Sequence, residues 1–188
     1  MKVRDSGMPE SAYWESLFNV PLMLREMRID AEIKDVVEVG CGYGTFTVPA
    51  ATLVHGRVHA YDIEPEMVRI TLDRAAGAGV SNVNASVRDL IVEGADVEAD
   101  SIGYVMLFNI LHHDNPLEIL SEALRVLHPG GLVGCVHWNH DPTTPRGPTM
   151  DIRPKPEQVR VWMISAGFRV EGGMIDLPPY HYGWIGVK

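Results

Sequence analysis

Val36-Val37-Glu38-Val39-Gly40-Cys41-Gly42-Tyr43-Gly44 is the stretch on which the fold turns. A strand candidate, Asp35 to Val39, runs directly into three glycines at alternate positions, and Thr45 to Val54 reads as a helix opening on them. Strand, glycine turn and helix in that order form the context in which such a loop admits a ligand. Glycine tolerates positive φ and lets the backbone approach a bound group closely. The same stretch is also readable as a tight strand-to-helix turn with no ligand.

Outward from this loop the pattern alternates. Arg57 to Tyr61 reads as a strand, Pro65 to about Ala78 as a helix, Asn82 to Arg88 as a strand and Ser101 to Asn109 as another. The run Val105-Met106-Leu107-Phe108 suits a strand buried on both faces. Pro116 to Leu127 is an amphipathic helix that His128-Pro129-Gly130-Gly131 should stop, and Leu132 to Trp138 is a fifth strand. Strands alternating with helices imply right-handed crossovers and a mostly parallel α/β sheet. A helix over Pro156 to Ala166 then leads to two strands, Phe168 to Asp176 and Tyr180 to Lys188. Their link at Pro178-Pro179 is too short for a crossover, so this last pair must be antiparallel. Before the glycine loop, apolar residues from Glu10 to Met27 recur at helical spacing, although Pro21 must break or kink the run.

The chain's 188 residues suit one domain, with an N-terminal helix at about 10–30, a core at about 31–138 and a closing segment at about 139–188. A net charge of -9, with no basic cluster, argues against a nucleic-acid partner. Cys41 and Cys135 lie far apart and read as reduced thiols. No apolar run approaches the roughly 18 residues that span a bilayer. The polar first ten residues lack a signal-peptide core, so no membrane is expected and the cytoplasm is the expected compartment.

Three acids give the glycine loop its chemistry. Asp62 ends the second strand and can accept hydrogen bonds from both hydroxyls of a ribose. Asp89, in Arg88-Asp89-Leu90 after the third strand, can accept from an adenine amino group. Glu38 decides the sign: beside a pyrophosphate it would repel, whereas beside a sulfonium or ammonium it attracts. A nicotinamide fold also wants its third glycine at position 45, where this chain has Thr45.

With these residues in view, the chain resembles the class I S-adenosylmethionine-dependent methyltransferases, of the small type 11 and ubiquinone-biosynthesis-like group. The glycine stretch is similar to their first motif and Ala60-Tyr61-Asp62-Ile63-Glu64-Pro65-Glu66-Met67 to their second. Arg88-Asp89-Leu90 matches the third in position, and Phe108-Asn109-Ile110-Leu111-His112-His113 the fourth. Ala123 to Gly131 resembles the helix and turn before their fifth strand. The resemblance implies a Rossmann-like three-layer sandwich: seven strands in the order 3-2-1-4-5-7-6, strand 7 antiparallel, helices on both faces. It implies S-adenosylmethionine as cofactor and S-adenosylhomocysteine as product. By position, Asp62 would hold the ribose, Ile63 would pack on the adenine, and Asp89 with Leu90 (beside Arg88) would meet the adenine edge. Gly40, Cys41, Gly42 and Gly44 would line the amino-acid end with Glu38 nearby, and Asn109 would face the methionine portion.

Methyl transfer from a sulfonium needs alignment and desolvation more than acid–base chemistry, so no catalytic residue is obligatory. His112, His113 and His137 fall at the carboxyl edge of the strands, where one of them can orient or deprotonate an acceptor. A helix cap or packing is the plainer role for each. His137-x-x-His140 beside Asp141 is too loose a spacing to assign a metal. The loop Asp141 to Pro154 reads as a substrate lid or a plain linker, and five prolines (142, 145, 148, 154 and 156) stiffen the stretch that runs on to Pro156. Arg146 and Arg153 there offer guanidinium groups to an anion, and Trp138 offers a ring. A small-molecule acceptor is expected. Two other readings stay open: a non-catalytic module that binds the same cofactor, and a nicotinamide-dependent oxidoreductase. Oligomeric state is not legible.

Overall fold

Side-chain parity along the central strands decides which helix covers which face. The computed structural model describes residues 9–188. Seven strands form one sheet: β1 (Val36–Val39), β2 (Val58–Asp62), β3 (Val83–Val87), β4 (Ile102–Phe108), β5 (Leu127–Trp138), β6 (Arg169–Leu177) and β7 (His181–Val187). Their order is β3-β2-β1-β4-β5-β7-β6, with every pair parallel except the two that β7 makes. The expected order and the antiparallel strand 7 are both present.

On β4, Tyr104, Met106 and Phe108 point to one face, while Val105 and Leu107 point to the other. The first set packs with Val136 and Trp138 of β5 against α1 (Ser11–Ser16), α2 (Val20–Glu26) and α3 (Thr47–Leu53). Helix α4 (Pro65–Gly77) lies alongside α3 and over β2 and β3. The second set packs with Val133 and Cys135 under α6 (Pro116–Val126) and α7 (Pro156–Ser165). Helix α6 presents Ile119, Leu120, Ala123 and Val126 to the sheet, one stripe at helical spacing.

Three elements differ from the sequence reading. The N-terminal helix is two short ones, and the break falls before Pro21. Asn19 caps α2, accepting from the Leu22 N–H at 3.2 Å, and Pro21 sits in its first turn, where a missing N–H is harmless. The segment His128 to Gly131 does not merely stop a helix; it is the start of β5. Gly130 donates to the Lys188 carbonyl at 3.1 Å and Lys188 to that of Gly131 at 3.0 Å, so the end of the chain stitches these residues into the sheet. A four-residue helix, α5 (Leu90–Glu93), was not foreseen.

Candidate functional site

The strand order reverses between β1 and β4, and the carboxyl ends of these strands are where an α/β sheet opens to ligands. The glycine loop sits there. Gly40 and Cys41 both donate to the Tyr61 carbonyl, at 2.7 and 3.0 Å. Gly40 and Gly44 adopt φ of 77° and 72°. A side chain at Gly44 would press on Thr71 of α4 at 3.1 Å, and one at Gly40 on Ile110, beyond β4, at 3.3 Å. The loop is therefore wedged between α4 and the end of β4. Thr71 donates to the Gly42 carbonyl at 3.0 Å and lies 3.6 Å from the Cys41 sulfur, whose thiol is buried.

Asp62 ties this loop to β2. Its Oδ2 accepts from the Gly42 N–H at 2.9 Å and its Oδ1 from the Glu64 N–H at 3.0 Å, and each oxygen retains a further lone pair. Glu38 lies deeper, 2% exposed, and accepts from the Thr47 hydroxyl at 2.5 Å. Burial pushes the Glu38 carboxyl up to about 8, helped by the nearby Asp62 and opposed by the Thr47 bond. Burial raises Asp62 too. Neither acid makes an ion pair among the described residues. A buried and a half-buried carboxyl short of a cation suit a positively charged ligand, and Glu38 disfavours a pyrophosphate. Asn109 adds a second unmet demand. Its φ is 59°, its N–H is spent on the Val136 carbonyl at 2.8 Å, and both its side-chain amide atoms are buried without a partner among the described residues.

Of the third-strand residues, Asp89 caps α5 with Oδ1, which accepts from Ile91 and Val92. Leu90 is buried and Ile63 half-buried beside Asp62. Arg88 holds the loop after α5, donating to the carbonyls of Glu93 and Gly94 at 3.4 and 3.3 Å. It also lies 3.8 Å from the Asp96 carboxylate.

On the acceptor side the candidates separate. His112 and His137 meet, Nδ1 to Nε2 at 3.3 Å. His113 turns its Nδ1 to the Asn115 N–H, which it accepts at 3.2 Å, so this nitrogen is spent on the turn before α6. Trp138 is a corrected assignment. It is 2% exposed, packed among Trp14, Phe18 and His181, and offers no face to a substrate. Arg153 is the second correction. All three of its guanidinium nitrogens are engaged within the loop, on the carbonyls of Asn139, Asp141, Arg146 and Pro148 and the Thr144 hydroxyl. That leaves nothing for an anion. Arg146 is half-buried in the same loop.

Several contributors had no sequence signal. Helix α1 lies against the glycine loop: Tyr43 donates to the Pro9 carbonyl at 2.7 Å, and Glu15 pairs with Arg74, which also reaches the Tyr43 carbonyl at 3.3 Å. Thr71 was legible only as a polar residue on the buried stripe Val68, Thr71, Ala75 of α4. A recess of about 620 Å³, lined in part by Asp35, His55, Arg57 and Glu98, lies at the opposite, amino end of the strands and shares no residue with this site.

Comparisons with known proteins agree with this fold. The family model described as a methyltransferase domain matches residues 36–131. The ribosomal protein L11 methyltransferase of Methylococcus capsulatus is 36% identical over 107 residues, 55% of this chain and 33% of that protein. The chain thus spans about a third of the length of the curated relatives it matches. Among solved structures, an S-adenosylmethionine-dependent methyltransferase from Aquifex aeolicus superposes with a TM-score of 0.81 at 22% identity, over 94% of this chain and 93% of that one. The [4+2]-cyclase SpnF superposes at 0.70 with 22% identity, over 89% and 62%.

Proposed function

The chain belongs to the methyltransferase-domain family, and we propose that it transfers the methyl group of S-adenosylmethionine to an acceptor held over the carboxyl ends of β4 and β5. The observation that carries this reading is the cation-deficient pair Glu38 and Asp62 beside a positive-φ glycine loop. The bound cofactor supplies an electrophilic methyl group on a sulfonium, with a neutral thioether as leaving group.

The residues divide the work. Asp62 takes the ribose hydroxyls on its free lone pairs, while Ile63 and Leu90 flank the adenine and Asp89 accepts from its edge. The backbone of Gly40, Cys41, Gly42 and Gly44 takes the amino-acid end, with the Glu38 charge behind it. Asn109 meets its two missing partners at the methionine portion. Helix α1, clamped by Glu15 and Arg74, excludes water from the loop.

The acceptor in this reading is a small molecule. Support comes from the Arg153-stapled loop after β5, which stands at this carboxyl edge and is held by its own backbone carbonyls. The relatives named for ribosomal protein L11 favour a protein acceptor instead. Incubation with S-adenosylmethionine plus either L11 or a metabolite panel, read as S-adenosylhomocysteine release, separates the two. Both cysteines are buried and unbridged, in keeping with a cytoplasmic setting, and no helix among the described residues is long and apolar enough to cross a membrane.

Calorimetric titration with S-adenosylmethionine tests the core of the proposal. Wild type should bind, and Asp62→Ala should bind at least tenfold more weakly, the loss of about 1.5–3 kcal/mol expected for charge-assisted hydrogen bonds. Folded wild-type protein that does not bind overturns it.

A further inference from the structure

Two histidine rings meet at the carboxyl edge in an arrangement that the cofactor cradle does not require. His112 follows the end of β4, and His137 is the penultimate residue of β5. Their rings stand nearly perpendicular, 5.4 Å between centroids. Because Nδ1 of His112 lies 3.3 Å from Nε2 of His137, a single hydrogen joins them, and its position on one ring fixes the other. His137 is 1% exposed, and its remaining nitrogen, Nδ1, is buried and makes no well-formed hydrogen bond among the described residues, with the Trp138 backbone beside the ring. The hydroxyl of Tyr182, whose ring centroid lies 6.4 Å from that of His137, is already spent on the Pro154 carbonyl at 2.8 Å. Burial keeps both rings neutral, His112 at about 4 and His137 well below the ordinary histidine value.

A neutral pair has two arrangements. In the first, His137 donates from Nε2, which leaves only a lone pair at its buried Nδ1 and a hydrogen on Nε2 of His112. In the second, His112 donates from Nδ1, which leaves a buried N–H on His137 with no well-formed hydrogen bond among the described residues, only the Trp138 backbone beside it. Orphaned buried N–H groups are the rarer defect in folded proteins. Neutral histidine also favours the Nε2 hydrogen intrinsically, and only the first arrangement gives both rings that form. The Nε2 atom of His112, on the far side of its ring from His137, makes no hydrogen bond among the described residues.

We propose that His137 is a positioning residue that locks His112 as an Nε2–H donor, and that His112 uses this hydrogen to hold an oxygen of the methyl acceptor, a carboxylate or phenolate. The pair then orients the acceptor and takes up no proton. The choice of acceptor rests on the methyl-transfer reading; the ring tautomers belong to the protein alone.

The test is long-range proton–nitrogen NMR of the ¹⁵N-labelled full chain, which reports the tautomer of each histidine. Wild type should carry the His112 hydrogen on Nε2. His137→Phe fills the space without donating, so both His112 tautomers should appear. His137→Gln, whose amide donates at the same contact, should restore the single form, which a purely structural role would not do. With S-adenosylhomocysteine present, benzoate should shift the His112 Nε2 resonance and benzylamine should not. Benzoate should bind at least tenfold more weakly to His137→Phe than to wild type or His137→Gln. A wild-type hydrogen on Nδ1 of His112 overturns the proposal without recourse to any variant. So does a resonance moved by benzylamine as much as by benzoate, or by neither. Calorimetry of S-adenosylhomocysteine on the same samples is a separate readout: its failure sinks the methyl-transfer reading while leaving the tautomer result standing.

Discussion

Glu38 keeps its carboxyl inside the sheet edge with one hydroxyl, that of Thr47, for company. Its folded value of about 8 stands above an unfolded value near 4.5, so the folded state prefers it neutral. The unfolded chain therefore releases a proton that the folded chain retains, and stability falls as pH rises from about 4.5 to about 8. Glu38→Gln keeps the hydrogen bond and removes the titration. Denaturant unfolding from pH 5 to 9 should find the variant more stable by a few kcal/mol at the alkaline end, with the two proteins converging at the acid end. A cationic cofactor reverses the preference at this residue by favouring the carboxylate. Binding of S-adenosylmethionine to wild type should then tighten between pH 6 and 8 and release a proton, visible as a binding enthalpy that depends on the buffer. Glu38→Gln should bind more weakly and show no such buffer dependence at this site. An unchanged affinity in the variant would remove Glu38 from the cradle.

At the scale of elements, the loop after β5 is held by its own arginine. With Arg153 7% exposed and bonded to four carbonyls and a hydroxyl, Arg153→Ala would strand several polar groups at once and should cost about 3–5 kcal/mol in thermal or denaturant unfolding. Arg153→Lys should recover little, because a single ammonium cannot reach the same fan of acceptors. If Arg153 held an anionic substrate instead, both variants would unfold like wild type. The sequence suggested that anion role because irregular loops carry no periodicity from which burial can be read. The start of β5 was hidden for a related reason. Pro129, Gly130 and Gly131 signal a turn locally, and only pairing with Lys188 converts them to strand. Helix α5 is four residues long, too short for any apolar pattern, and owes its existence to the Asp89 cap. The strongly periodic elements, by contrast, were legible to within a residue or two. Helix α6 and strand β4 each bury a stripe or a continuous run that admits one reading.

Across the whole molecule, legibility follows sequence distance. The placement of Glu38, the glycines, Asp62 and Asp89 at the carboxyl edge was readable because each sits at or just beyond the end of a strand whose place in the order is set by alternation alone. The acceptor side was not. His112 and His137 meet only because β4 and β5 pair in a register that sets Phe108 opposite Val136, and no local pattern encodes that register. The same order puts the reversal point, with its two cation-deficient acids, under whatever ligand binds, and this separates the cofactors that a Rossmann-like sheet can hold. A ligand present at about a hundred times its dissociation constant adds roughly 2.7 kcal/mol to stability, or about 5–10 °C in melting temperature for a chain of this size. S-adenosylmethionine should produce that shift, and Asp62→Ala should lose most of it. The oxidised nicotinamide dinucleotide should produce none, since its pyrophosphate would face Glu38 across a loop that lacks the glycine at Thr45. Equal shifts from both ligands would mean that the acids do not govern the choice, and the dinucleotide reading would return on equal terms.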